Sequence, residues 1–321
     1  MWLAVAAVVL AAVSAGGLVV SGTFAGKGAH GAVAPGGVAV RPHSVAIVDA
    51  ATAAVVGDVP VNGPMDWVAA SGDSAYVAST LLRTLTSIDL RKDALGFTFG
   101  LPDVPQDLAA NHDRVWVSDS YSGALSQFDS AERQLTAPFF PAGRVAGLVP
   151  IAADDARLWA GLPDGRLVAL DVGNLAVTTT IRLPDRARRL ADAAGVVCAG
   201  LFRTPSVVCL RADSGQALTT MRLPATAMAV AADANGVWAL AGAPLRLWHR
   251  GFNLGAPTTS EALPAGAVAL GRVGGYLWVL FQGGRLIRLD AHGAGPVVTL
   301  DLGRPATAMS VTGDRILVTV S

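Results

Sequence analysis

Lysine and glutamate are almost missing from this chain. Lysine occurs twice (Lys27, Lys92) among 24 basic residues, and glutamate twice (Glu132, Glu261) among 24 acidic ones. The two totals cancel and no basic run exists, so the electrostatic footprint that a nucleic-acid partner requires is absent. Histidine is scarce too. His30, His43, His112, His249 and His292 stand far apart, with no HxH or HExxH spacing, and a metal site is not expected. There is no GxSxG nucleophile elbow and no Asp-rich calcium loop. These absences point away from catalysis, and neither a cofactor nor a metal is expected.

What is abundant is apolar. Hydrophobic residues make up 52% of the 321 positions, against 15% charged, which is ample for a large core. One charge-free run stands apart, residues 2–20. At 1.5 Å rise per residue it is just long enough to cross a bilayer as a helix. It also fits a secretory signal, with Val13-Ser14-Ala15 as a small-residue cleavage site. No Lys or Arg precedes it, so the positive flank that sets orientation is missing, as expected if the native protein continues further upstream. Residues 21–42, rich in Gly and Ala, read as a tether. The expected organisation is a membrane anchor or signal over 1–20, the tether over 21–42, and one domain over 43–321, outside a bacterial membrane or secreted if the first segment is cleaved.

That domain repeats. Strand ends recur at Asp49, Asp89, Asp129, Asp171, Arg211, His249 and Asp290, and a second strand centred on a large residue recurs at Tyr76, Trp116, Trp159, Cys198, Trp238, Trp278 and Leu317. Two landmarks in step at a period of about forty residues mark radial or linear repetition of one small sheet. Within the first copy, strands over 45–49, 54–61, 66–70 and 75–79 alternate with Gly, Pro, Asp and Asn breaks. Four strands per repeat and seven repeats predict an all-β, seven-bladed propeller. A solenoid would carry atypical capping repeats, and none is visible. The phase predicts that strands 43–49 and 54–61 complete the blade whose inner pair is 306–320, closing the ring and leaving no free edge at the seam.

The recurring Asp is followed by turn chemistry, as in Asp171-Val-Gly-Asn, and is expected to accept backbone N–H bonds rather than to form a site. The recurring aromatics are expected between blades. Cys198 and Cys209 lie on the second and third strands of one repeat. Antiparallel pairing about the turn Phe202–Pro205 sets them opposite each other, within reach of a disulfide if the pair is non-hydrogen-bonded.

The string Val45-Ala-Ile-Val-Asp-Ala-Ala-Thr, then Asn62-Gly-Pro, Val68-Ala-Ala-Ser-Gly-Asp and Ala75-Tyr-Val-Ala-Ser, resembles the YVTN-type propeller repeat. It is also similar to NHL and virginiamycin B lyase propellers. The resemblance covers about residues 43–321 and implies the fold, while activity varies widely within such folds. It extends to the extracytoplasmic sensor of some actinobacterial receptor serine/threonine kinases, where a propeller follows one membrane helix and a linker. The chain carries no Gly-rich nucleotide loop and no HRD or DFG element, so it is not itself a kinase. A lyase site of that superfamily would need a His and a metal-binding acid at the channel mouth, and no innermost strand here carries a His.

Function is therefore expected on the loops of one face, those joining second to third strands and blade to blade. The candidate binding residues are Asp66, Gln106, Asp107, Arg144, Arg186, Arg189 and Arg304 around the channel entry, with Arg188 beside them, and Asp119 and Tyr121 farther out, where Phe202 and Gln282 also lie. Arginine forks suit carboxylate or phosphate groups. The partner is expected to be a small molecule, a cell-wall component or a protein. The competing expectations are the sensor region of a receptor kinase and, in a different class, a propeller lyase or lactonase.

Overall fold

The computed structural model describes residues 37–112, 114–129, 134–141, 143, 147–253, 255–290 and 296–321. The anchor helix expected over 2–20 and most of the tether lie outside the described residues. Among those residues, no helix is long and apolar enough to cross a membrane.

Among the described residues, twenty-eight strands form seven four-stranded antiparallel sheets. The chain opens with β1 (Ser44–Asp49) and β2 (Ala54–Pro60). Blade 1 holds β3 (Trp67–Ser71), β4 (Ser74–Ser79), β5 (Thr84–Asp89) and β6 (Ala94–Gly100). Blade 2 holds β7 (Pro105–Asn111), β8 (Arg114–Asp119), β9 (Leu125–Asp129) and β10 (Gln134–Leu135). Blade 3 holds β11 (Ile151–Ala153), β12 (Arg157–Gly161), β13 (Arg166–Asp171) and β14 (Val177–Arg182). Blade 4 holds β15 (Ala187–Ala193), β16 (Val196–Leu201), β17 (Ser206–Arg211) and β18 (Ala217–Arg222). Blade 5 holds β19 (Ala229–Ala232), β20 (Gly236–Ala241), β21 (Arg246–Gly251) and β22 (Thr258–Thr259). Blade 6 holds β23 (Ala267–Val273), β24 (Tyr276–Phe281), β25 (Arg285–Leu289) and β26 (Pro296–Asp301). The last blade joins β27 (Ala306–Thr312) and β28 (Arg315–Val320) to β1 and β2, in the order β2-β1-β28-β27.

The first strand of each blade is innermost. The neighbours run β27, β3, β7, β11, β15, β19, β23 and back to β27, which closes a ring around a central channel. Each innermost strand has one hydrogen-bonded neighbour, so its other edge faces the channel, where water meets its N–H and C=O groups. The chain is a seven-bladed β-propeller sealed by sharing one blade between its two ends.

The core explains the repeat. Among the described residues, seven apolar clusters each straddle one pair of adjacent blades. In each, the central residue of a second strand points at the following blade. Trp116 packs with Leu158 and Leu170, Trp159 with Val197 and Leu210, and Trp278 with Val318. These three tryptophans are wholly buried, and removing a side chain of that size from a core costs about 3–5 kcal/mol. Cys198 and Leu317 fill the same slot with less volume. Where space is tight the sequence supplies glycine: a Cβ on Gly161 would stand 2.7 Å from the Ala187 methyl of the next blade.

Arginines clasp one blade to the next on the opposite face. Arg114 donates to the Val172 carbonyl, Arg315 to the Leu90 carbonyl, and Arg288 to the carbonyls of Ala50 and Ala51 at 3.1 and 2.8 Å. The strand-ending acids serve turns, as their spacing predicts. Asp49 accepts Thr52 N–H at 2.7 Å, and Asp171 accepts Gly173 and Asn174 N–H at 2.9 and 3.1 Å. His249 departs from the pattern. The strand β21 runs on to Gly251, and the half-buried imidazole stacks on its cross-strand partner Trp238 with centroids 4.6 Å apart.

Candidate functional site

The channel is a cavity of about 860 Å³ bordered by all seven innermost strands. Alanine is the commonest residue of its wall, with larger side chains such as Trp67, Leu190 and Met309 among them. Against that wall a few charged side chains stand out: Asp66, Asp107, Arg188, Arg189, Asp192 and Arg272.

How they reach the channel depends on a local irregularity. Four innermost strands carry a β-bulge at their second residue, which is Gln106 in β7, Arg188 in β15, Val268 in β23 and Thr307 in β27. A bulge sets two residues against one partner and re-aims the side chains there. In β15 the bulge falls at Arg188, and Arg188 and Arg189 both border the cavity.

Most polar groups at this end are engaged in holding backbone. Asp66 accepts the N–H of Thr80 at 2.7 Å and also its hydroxyl. Gln106 accepts Val149 N–H at 3.2 Å. Asp107 accepts Leu108 N–H at 3.0 Å and Ile151 N–H at 3.1 Å, tying blade 2 to blade 3. Burial pushes the Asp107 carboxyl up to about 6, against the pull of those N–H groups and of the Arg189 charge. Arg189 donates to the Met228 carbonyl at 3.1 Å and to the Arg188 carbonyl at 3.3 Å. Burial and the like charge of Arg188 lower its affinity for its proton, and Asp107 opposes them. Arg188 has no side-chain hydrogen bond or ion pair among the described residues.

At the far end of the channel, Arg272 pairs with Asp233 at 2.6 Å and lies over the Trp238 ring. Asp192 has no such partner among the described residues. Burial, and then the charge of Asp154, push its carboxyl up to about 7.

The remaining candidates lie away from the channel. Asp119, at the end of β8, accepts Tyr121 N–H at 2.8 Å and the N–H and hydroxyl of Ser122 at 2.5 and 2.8 Å, and borders a separate hollow of about 190 Å³. Tyr121 is exposed on the following loop. Arg186 lies over the Phe202 ring at 3.7 Å and lines a third hollow, beside Asp185 and Arg203. Arg304 is exposed on the loop before β27 and does not line the channel. Arg144 lies outside the described residues. Of the nine candidates, Asp66, Asp107 and Arg189 therefore border the channel. Asp192, Arg272 and Thr307 border it as well and were not among the sequence candidates, and Gln282, expected farther out, reaches it. The loop-face end of the channel is marked by strand phase, whereas Asp192 and Arg272 lie toward the ends of β15 and β23, where the sequence points to no site.

Cys198 and Cys209 are paired across β16 and β17 and form a disulfide, with Cα atoms 4.1 Å apart. Among the described residues, no group of three His, Cys, Asp or Glu side chains is arranged to hold a metal ion.

No family model matches the chain, and no curated protein matches it. Solved structures do. BamB from Moraxella catarrhalis superimposes over 86% of this chain and 91% of its own, with a TM-score of 0.58 and 16% identity. The computationally designed Ika8 protein superimposes over 82% of this chain and 83% of its own, with a TM-score of 0.66 and 14% identity. At such identities the likeness is one of fold, a propeller, and carries no activity with it.

Proposed function

We propose that this chain is a non-enzymatic, extracytoplasmic binding propeller of the YVTN/NHL type. It receives an anionic group of a small molecule, cell-wall component or protein at the loop-face end of its channel. The observation that carries this reading is Arg188, a guanidinium without a partner among the described residues that borders a cavity of about 860 Å³. Arg189 stands beside it. Two guanidinium groups at one cavity mouth suit a carboxylate or phosphate, which accepts paired N–H bonds from such forks. The other mouth acids do not compete strongly, since Asp66 and Asp107 are occupied by backbone N–H groups. The extracytoplasmic assignment draws on the charge-free run over 2–20 and on the Cys198–Cys209 bond, because disulfides persist in oxidising compartments.

The test is thermal unfolding of the full chain in acetate or phosphate against chloride at equal ionic strength. Acetate or phosphate is expected to raise Tm, and Arg188→Gln with Arg189→Gln to remove that gain while leaving Tm in chloride nearly unchanged. Equal Tm in all three salts would reject the mouth as an anion site.

A further inference from the structure

The channel has a second pole. Its charged lining sorts into groups whose partners are already in the protein and groups without one. Asp66 and Asp107 are held by N–H donors, Arg189 is committed in part to the Met228 carbonyl, and Arg272 is neutralised by Asp233. Two charged side chains remain without an ion pair or a hydrogen bond to another residue among the described residues, Arg188 near one end and Asp192 near the other. Both belong to β15. At about 3.3 Å per residue, the three to four residues from the arginine pair to Asp192 span roughly 10–13 Å along the strand. Between these poles the wall carries no charge on β15, with Leu190 and Ala191 there and alanines on the strands around it.

A charge on the wall of a channel is unfavourable in proportion to its desolvation unless a partner meets it. Two such charges of opposite sign, fixed to one rigid strand at a set distance, describe a ligand with the complementary ends. We propose that the channel takes an extended zwitterion lengthwise, its carboxylate on Arg188 and Arg189 and its protonated amine on Asp192, with a slim aliphatic body against the alanine wall. This rests on the reading of the channel mouth as an anion site and adds the cationic end, the spacing and the orientation. The order along β15 fixes the orientation, because the strand enters from the loop face with its arginines and leaves at the opposite face past Asp192.

The experiment is calorimetric titration of the full chain with ω-aminooctanoate, whose extended length matches the span, alongside octanoate, octylammonium and the dicarboxylate suberate. The amino acid is expected to bind about ten-fold or more tightly than any of the other three, the effect of one additional charge-assisted contact. Asp192→Asn should bring ω-aminooctanoate down to the affinity of octanoate while leaving octanoate itself unchanged, a split that a folding defect would not produce. Octanoate or suberate binding as tightly as ω-aminooctanoate overturns the zwitterion and leaves the anion site standing. Failure of both octanoate and ω-aminooctanoate to bind overturns the zwitterion and, together with equal Tm in acetate, phosphate and chloride, the anion site as well.

Discussion

Asp192 shows how a single residue can be set against the stability of its own fold. Its carboxyl is pushed up to about 7 by burial and by Asp154, whereas in an unfolded chain it titrates near the ordinary Asp value. A raised carboxyl pKa means that the native state holds its proton over a pH range in which the unfolded chain has lost it. This contribution is most favourable below the unfolded value, declines as pH rises from about 4 to about 7, and stays at its least favourable above that. Asp192→Asn keeps the size and removes the ionisation, so the variant is expected to melt higher than wild type at pH 8, with the gap closing towards pH 4. Melting curves at the two pH values decide it, and an equal difference at both would mean that Asp192 is not charged at a cost in the native channel. None of this is legible in Asp192 itself, which lies in an unremarkable Leu-Ala-Asp-Ala stretch. Its properties come from strands of other blades.

At the scale of the element, antiparallel pairing is a rule of arithmetic, and the sequence obeys it. The register about the Phe202–Pro205 turn places Cys198 against Cys209, and the structure has that pair in register across β16 and β17. The bond closes a short loop between two strands that are buried on both faces. Restricting the unfolded chain over such a loop contributes roughly 2–3 kcal/mol. Replacing both cysteines by alanine should lower the unfolding free energy by about that much, with some further loss from the missing sulfur volume, and denaturant titration measures it. Strand bulges are the opposite case. An extra residue in β7, β15, β23 or β27 is absorbed by a neighbouring loop, and the count of about forty per repeat does not change. The bulge in β15 falls at Arg188, beside Arg189; their loop-face position was legible in the sequence, and the irregular register at that point was not.

For the whole molecule, the seam governs. The strands β1 and β2 complete a blade begun more than two hundred residues later, and Val45 and Ile47 share a core cluster with Leu317 and with Val68 of blade 1. Starting the chain after β2 would leave β28 with an unpaired edge and open that cluster to water. Such a truncation is expected to lose cooperative melting and to aggregate. A circular permutant that joins β28 to β1 through a short linker and opens between two other blades should melt close to wild type. Circular dichroism melting and size-exclusion chromatography of the pair test whether shared pairing, and not the position of the ends, holds the ring.

Periodicity alone determined the architecture of this protein. A blade cannot bury its faces unaided, so a repeated strand pattern with one large apolar residue per copy leaves stacking around an axis as its means of burial, and the same pattern gave the phase of closure. It also assigned the strand-ending acids to turns and the aromatics to the spaces between blades. Only the tertiary structure decided which polar side chains meet. The place of Asp192 in the channel wall, the occupation of Asp66 and Asp107 by backbone donors, and the position of Arg186 at a separate hollow over Phe202 depend on contacts between segments that the repeat does not specify. Such contacts are fixed by the packing of neighbouring blades and leave no mark on any short stretch of sequence.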